Sequence, residues 1–188
     1  MDLDLYHTLN GLAGMAGWLD HLLRWGTQGL PIAMALVIGV AWFWPGDPAE
    51  RAQRQRLAVY AVGAALLGLA LSQVIGHAWF RERPYVHHPA HLLVAPSADP
   101  SFPSDHAVGG FALAIPFVLA RRRVGWLLLA MATALAMTRV AVGTHYPSDV
   151  IGGAFLGTAA AVAIWRVRPW LEIPLVPCLL MARRFRLA

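Results

Sequence analysis

Two uncharged stretches constrain this chain more than anything else in it: Gly26 to Trp44 and Leu57 to Gly76 run for 19 and 20 residues without Asp, Glu, Lys or Arg. A helix rises about 1.5 Å per residue, so each is long enough to cross the roughly 30 Å hydrocarbon core of a bilayer. The remaining composition agrees, because 188 residues that are 58% apolar and only 13% charged cannot make an ordinary soluble surface. The chain therefore reads as an integral membrane protein.

Three later apolar runs, Ala107 to Ala120, Val124 to Thr138 and Val150 to Trp165, are shorter. Each becomes a span if its polar end residues sit at the interface or line a cavity. The predicted fold is all-α: a polytopic membrane helix bundle of about five transmembrane helices, organised as one domain over residues 1–188. Leu3 to Gly17 mixes Leu, Met and Ala with Asp4, His7 and Asn10, which predicts an amphipathic interfacial helix within residues 1–18. The transmembrane core covers 19–168, and an apolar and basic segment covers 169–188. Asp2 and Asp4 stand where a cleavable signal would carry Lys or Arg, so the first residues are expected to be kept. Cys178 is alone, which excludes an internal disulfide, and its apolar surroundings predict a buried filler.

Basic residues gather at Arg51, Arg54 and Arg56, at Arg121 to Arg123, at Arg166 and Arg168, and at Arg183, Arg184 and Arg186. The positive-inside rule assigns these ends to the cytoplasm. Alternating spans then put the amino terminus, the loop from Trp79 to Pro103 and the turn from Gly143 to Pro147 on the opposite side. Trp42, Trp44, Trp79, Trp126, Trp165 and Trp170 fall near span ends, as interfacial aromatics do. Arginine anchoring accounts for the net charge of +5, so no nucleic-acid partner is implied.

The groups that carry chemistry all fall on that opposite face. Arginines near a membrane usually snorkel to the headgroups, but Arg81 and Arg83 lie on the side the rule depletes of arginine. Arg83 offers the bidentate fork that suits phosphate oxygens, with Glu82 available to hold one of the pair. Ser104 precedes an apolar run and reads as a helix N-cap, with Asp105 and His106 in the first turn. Such a helix start also favours anions, and His106 is placed to protonate a leaving oxygen. Arg139 ends fifteen uncharged residues, which is costly in lipid unless it meets a polar site. His145 follows six residues later and Asp149 four after that, near the start of the next helix. A carboxylate accepting from one ring nitrogen leaves the other as a nucleophile of fixed tautomer.

Taken together, Arg83-Pro84, Ser101-Phe102-Pro103-Ser104-Asp105-His106-Ala107 and Arg139 with His145 and Asp149 resemble the three-part signature of the type 2 phosphatidic acid phosphatase (PAP2) superfamily. The resemblance covers roughly residues 70 to 155 and is most like that superfamily's bacterial undecaprenyl-diphosphate phosphatases. It implies a metal-independent lipid phosphatase without a cofactor. His145 is then the nucleophile forming a phosphohistidine, Asp149 its orienting carboxylate and His106 the acid. Arg83, Ser104 and Arg139 bind phosphoryl oxygens, joined by backbone amides near Asp105 and His106, and Asp105 is counted with them among the substrate-binding residues. Two positions depart from the family pattern. Its usual lysine seven residues before Arg83 is Gly76 here, leaving His77 or Arg81 to supply the positive charge. Asp105 stands where the family often has glycine, which predicts a pairing with arginine or a tuning of His106.

The expected substrate is undecaprenyl diphosphate, in lipid-carrier recycling for cell-wall synthesis at a bacterial inner membrane, with the site facing the periplasm. Phosphatidate, phosphatidylglycerol phosphate and lipid A phosphates are alternatives within the same chemistry. From a different class, His87, His88, His91 and Asp99 suggest a transporter or metal-handling protein, against which stands their position in one Pro-containing loop. Partners are membrane lipids and the lipid phosphate itself; the sequence does not specify an oligomeric state.

Overall fold

The computed structural model describes residues 1–184. These residues form seven helices, in order α1 (Asp2–Asn10), α2 (Gly17–Phe43), α3 (Pro48–Ala78), α4 (Pro84–His87), α5 (Asp105–Leu119), α6 (Arg123–Ala141) and α7 (Pro147–Arg184). Their starts follow local chemistry. Asp47 caps α3 by accepting from the Ala49 and Glu50 amides at 2.8 and 3.3 Å, with Pro48 at the first helical position.

Among the described residues four helices are long and apolar enough to cross a membrane: α2, α3, α6 and, over Pro147–Ile173, α7. The expected fifth span, α5, has 15 residues, about 22 Å, and falls short of a full crossing. Its position removes the difficulty. α5 packs against α3, α6 and α7, so neither it nor the loop leading into it has to face lipid along its whole length. The carboxy-terminal segment is also not separate from the last span, since α7 continues unbroken through Arg166 and Arg168 to Arg184. Cys178 lies outside the described side chains.

Small residues bring α5 close to its neighbours, the usual solution where lipid offers no hydrophobic drive for helix association. On α7, a Cβ at Gly153 would lie 2.7 Å from the Ser104 carbonyl oxygen, and one at Gly157 would collide with the Val108 carbonyl. On α3, one at Gly68 would lie 2.9 Å from Val108 Cγ1. Larger side chains fill the opposite half, where Met34, Ile38, Leu57, Tyr60, Phe117 and Leu128 form the main core. Leu36, Leu66, Trp126 and Phe155 point outward and stay exposed, as lipid-facing residues do.

Arg54, Arg56 and Arg122 gather at one end of the bundle. Arg54 donates to the Ala41 and Trp44 carbonyls at 3.1 and 2.6 Å, Arg122 reaches Gln53, and Arg56 lies 3.7 Å from Glu172. The opposite end is closed by α1 and by the loop between α4 and α5. α1 is shorter than predicted and more deeply seated than an interfacial helix. Tyr6 is completely buried, and Asn10 bonds the Ala141 and His91 carbonyls at 2.9 and 3.0 Å while accepting from the His91 amide at 2.9 Å.

Candidate active site

At the α1 end, a cavity of about 230 Å³ is lined by His77 of α3, Arg83 before α4, His106 of α5, Arg139 of α6 and His145 before α7. Segments far apart in sequence meet there because the α3, α5, α6 and α7 termini come together at this end. Arg83, Arg139 and His145 are all buried.

Both cavity guanidiniums have neutral partners. Arg83 donates from Nε to the Asp99 carbonyl at 3.0 Å and from Nη1 to the Thr144 carbonyl at 3.2 Å, and the same Nη1 lies 3.3 Å from His145 Nε2. Arg139 donates from Nη1 to Thr27 Oγ1 at 2.7 Å, and its buried Nε has no hydrogen-bond partner among the described residues. Nor is either arginine ion-paired among the described residues. Two buried, unneutralised cations facing one hollow form a site for an anion, since burying a charge without its counter-charge is strongly unfavourable. Ser104 begins α5 but makes no side-chain cap; its Oγ is buried and, among the described residues, unpartnered. A further hydroxyl donor is thus uncommitted at the same helix start.

The hydrogen bond predicted between His145 and Asp149 is not made. Nδ1 of His145 lies 3.8 Å from Asp149 Oδ2 and 2.8 Å from the Ser101 carbonyl oxygen. A carbonyl only accepts, so Nδ1 carries the proton and Nε2 the lone pair that faces Arg83. Asp149 is occupied elsewhere: Oδ2 accepts from Ser101 Oγ at 2.5 Å and from the Tyr146 amide at 2.8 Å, and Oδ1 accepts from Arg81 at 2.6 Å. Burial lowers the His145 pKa below its ordinary 6.5, Arg139 and Arg83 push the same way, and Asp149 opposes them. The ring is held neutral.

Three other predicted roles move. Of the two candidates to replace the family lysine, His77 lines the cavity, its Nδ1 2.7 Å from the Gln73 carbonyl, whereas Arg81 turns away to Asp149, Ser148 and Asp2. Among the described residues Asp105 pairs with no arginine; it accepts from Ser72 Oγ at 2.5 Å and Gln73 Nε2 at 3.0 Å, two polar residues of α3 within reach of a first-turn side chain. Glu82 holds His87 rather than an arginine. The loop histidines are dispersed, with His88 beside the His7 and Tyr146 rings and His91 against Asn10. Among the described residues no group of three or more His, Cys, Asp or Glu gathers as metal ligands.

Sequence reasoning missed Ser101, Thr144, Thr27, Ser148 and Asp2. Ser101 and Thr144 act mainly through backbone oxygens, which have no residue signature. From sequence, Asp2 is only an acidic residue standing where a cleavable signal would carry Lys or Arg.

An apolar groove adjoins the cavity. It is lined by Pro31 and Met34 of α2, Gly109, Gly110 and Leu113 of α5, and Leu135 of α6, and it shares Asp105 and His106 with the cavity.

Comparison with known proteins places these features in context. The PAP2 superfamily model matches residues 57–173. The undecaprenyl-diphosphatase BcrC of Bacillus subtilis is 28% identical over 177 residues, 92% of this chain and 89% of that protein. A lipid A 1-phosphatase of Rhizobium johnstonii is 41% identical over 120 residues, 57% of this chain and 48% of that protein. Among solved structures, Aquifex aeolicus LpxE superposes with a TM-score of 0.71 at 20% identity, over 88% of this chain and 94% of that one.

Proposed function

Since this chain belongs to the PAP2 superfamily and is a membrane lipid phosphatase, we propose that it hydrolyses undecaprenyl diphosphate to the monophosphate through a phosphohistidine at His145. The observation that carries the proposal is the pair of buried guanidiniums, Arg83 and Arg139, held by neutral partners around the unprotonated Nε2 of His145. Nε2 attacks the terminal phosphorus in line, and the bond to the bridging oxygen breaks. Arg83, Arg139 and Ser104 stabilise the equatorial oxygens as charge spreads over them. His106 gives its proton to the departing lipid monophosphate, then takes one from the water that hydrolyses the phosphohistidine. Inorganic phosphate leaves and both imidazoles return to their starting state.

The cavity of about 230 Å³ is below the roughly 300–1,000 Å³ of pockets that enclose whole drug-sized ligands. It suits a headgroup, and the adjoining groove suits the first part of a hydrocarbon chain lying in the bilayer. The arginine-rich end opposite the site favours a cytoplasmic location for that end and an outward-facing site in a bacterial cytoplasmic membrane. Relatedness to BcrC favours the polyprenyl diphosphate over other lipid phosphates.

Phosphate release should be compared in detergent on undecaprenyl diphosphate, undecaprenyl phosphate, phosphatidate, phosphatidylglycerol phosphate and lipid A 1-phosphate, with and without EDTA. Highest kcat/KM on undecaprenyl diphosphate, unaffected by EDTA, is the expected result. A monoester turned over faster would overturn the substrate assignment. His145→Ala should lower kcat at least about 10³-fold; an active variant that forms labelled phosphoenzyme would remove His145 as nucleophile.

A further inference from the structure

Behind the cavity lies a second cluster of charge that the proposed chemistry leaves unused. Arg81, Asp2 and Ser148 do not line the cavity, yet they reach the groups that orient His145. The Arg81 Nη1 donates to Asp149 Oδ1 at 2.6 Å and to Ser148 Oγ at 2.7 Å. Its Nη2 donates to Asp2 Oδ2 at 3.0 Å, and its guanidinium lies 4.2 Å from the centre of the Tyr146 ring, next in sequence to His145. The Arg81 backbone carbonyl accepts from the Ser101 amide at 2.8 Å. One residue therefore grips, by side chain and by backbone, both neighbours of the His145 Nδ1: the Asp149 carboxylate and the Ser101 segment.

Asp2 completes the arrangement from α1. Its Oδ1 accepts from the Ser148 amide at 2.9 Å and its Oδ2 from Ser148 Oγ at 2.6 Å. Burial would raise this carboxyl, but the hydrogen bonds from Ser148 and Arg81 outweigh it and hold the pKa below the usual carboxylate range. The first turn of α1 is thus tied to the first turn of α7, where Asp149 sits.

We propose that Arg81 is a positioning residue, braced by Asp2, that holds Asp149 away from His145 and keeps the nucleophile's Nδ1–H on the Ser101 carbonyl. The inference rests on the reading of His145 as nucleophile. Asp149 is fully buried, so a carboxylate released from Arg81 has no solvent to turn to. His145 Nδ1 lies 3.8 Å from its Oδ2. Closing that gap draws the ring from its carbonyl, tilts Nε2 away from the in-line path and favours the imidazolium. The other charged or titratable residues lining the cavity with this ring are Arg83, Asp99, His77 of α3, Asp105 and His106 of α5 and Arg139 of α6, and among the described residues the Arg81 side chain bonds none of them.

Three readouts separate this role from substrate binding and from general support of the fold. Arg81→Ala should lower kcat about 10²-fold with KM little changed, the cost of a misplaced reacting group. The acidic limb of kcat/KM should move to higher pH. In a double-mutant cycle, Arg81→Ala combined with Asp149→Asn should be no worse than Asp149→Asn alone, because the first acts through the second. Should Arg81→Ala not fold, Arg81→Lys and Asp2→Asn supply the same readouts, with Asp2→Asn giving a smaller fall because its pair with Arg81 is partly exposed. A rise in KM at unchanged kcat, an unmoved pH limb or additive effects would each overturn the brace. Active His145→Ala would instead overturn the nucleophile assignment, so the two failures are distinguishable.

Discussion

The carboxylate of Asp149 stops 3.8 Å from His145 Nδ1, and the Ser101 carbonyl oxygen, at 2.8 Å, takes the hydrogen bond in its place. A backbone acceptor fixes the tautomer as firmly as a carboxylate does, without placing a negative charge on the ring proton. The imidazole is therefore oriented but not charged.

This relationship sets the expected cost of Asp149→Asn. Where a carboxylate accepts directly from the ring, as in the serine protease triad, the amide costs about 10⁴-fold in kcat. Here the acceptor survives the substitution, and the loss comes from weaker support of Ser101 and Arg81, so about 10²-fold is expected. Steady-state phosphate release at saturating lipid measures it. A loss matching that of His145→Ala would mean that Asp149 contacts the ring during turnover.

Acidification should destabilise the fold through His145. Burial lowers its pKa below the ordinary 6.5, so as pH falls the unfolded chain takes up this proton before the folded one does. The stabilisation associated with the neutral buried ring is complete above about 6.5 and is lost progressively below it. Thermal unfolding in detergent between about pH 8 and about pH 5 should show Tm falling on the acid side, with a shallower slope in His145→Gln. Equal slopes would assign the pH dependence to other groups.

The two longest uncharged runs, which became α2 and α3, and the end of the bundle where the motifs meet were legible in the sequence, because uncharged length and the placement of arginine report directly on bilayer crossing. Helix boundaries were not. α2 begins at Gly17, nine residues before the uncharged run, because Asp20 accepts from the Gly14 amide and Arg24 donates to the Leu93 carbonyl, so the polar residues of its first turns meet the loop end. α5 was read as a full span because apolar character does not distinguish a helix shielded by three others from one bathed in lipid. Within the site, residue types indicated phosphate chemistry, since two arginines and two histidines on one face leave few alternatives. Their partners were hidden. Arg81 and His77 were equal candidates on charge alone, and only the direction of each side chain separates them. The acceptor for His145 is a backbone oxygen 44 residues away, which no residue pattern encodes.

The α5–α7 contact depends on missing side chains. At Gly157 a Cβ would meet the Val108 carbonyl, and at Gly153 the Ser104 carbonyl and Ala107 Cβ, which are backbone and core atoms unable to swing aside. Gly157→Ala should therefore destabilise by roughly 1–3 kcal/mol, the usual cost of overpacking. It should also reduce activity, because Ser104 and His106 ride on the displaced helix. Gly63→Ala, on a surface where a Cβ meets nothing within 4 Å, is the control. Equal Tm values for the two variants in detergent would show that the helices can separate at no cost.

Gly109 tests where the lipid chain runs. A Cβ there meets nothing within 4 Å, so a larger side chain enters the groove beside His106 without displacing the protein, whereas at neighbouring Gly110 it would press on Ala132 Cβ at 3.2 Å. Gly109→Leu should therefore fold normally and exclude the chain from the start of the groove. Burial of each methylene contributes about 0.8 kcal/mol, and about 1.4 kcal/mol corresponds to tenfold in affinity. Losing contact with two methylenes thus predicts about a tenfold fall in kcat/KM on undecaprenyl diphosphate, carried by KM. A diphosphate whose chain is too short to enter the groove should be turned over nearly as before, because the headgroup cavity is untouched. If both substrates lose activity equally, the side chain at 109 acts on His106 rather than on the lipid; if neither does, the chain leaves the cavity by another path.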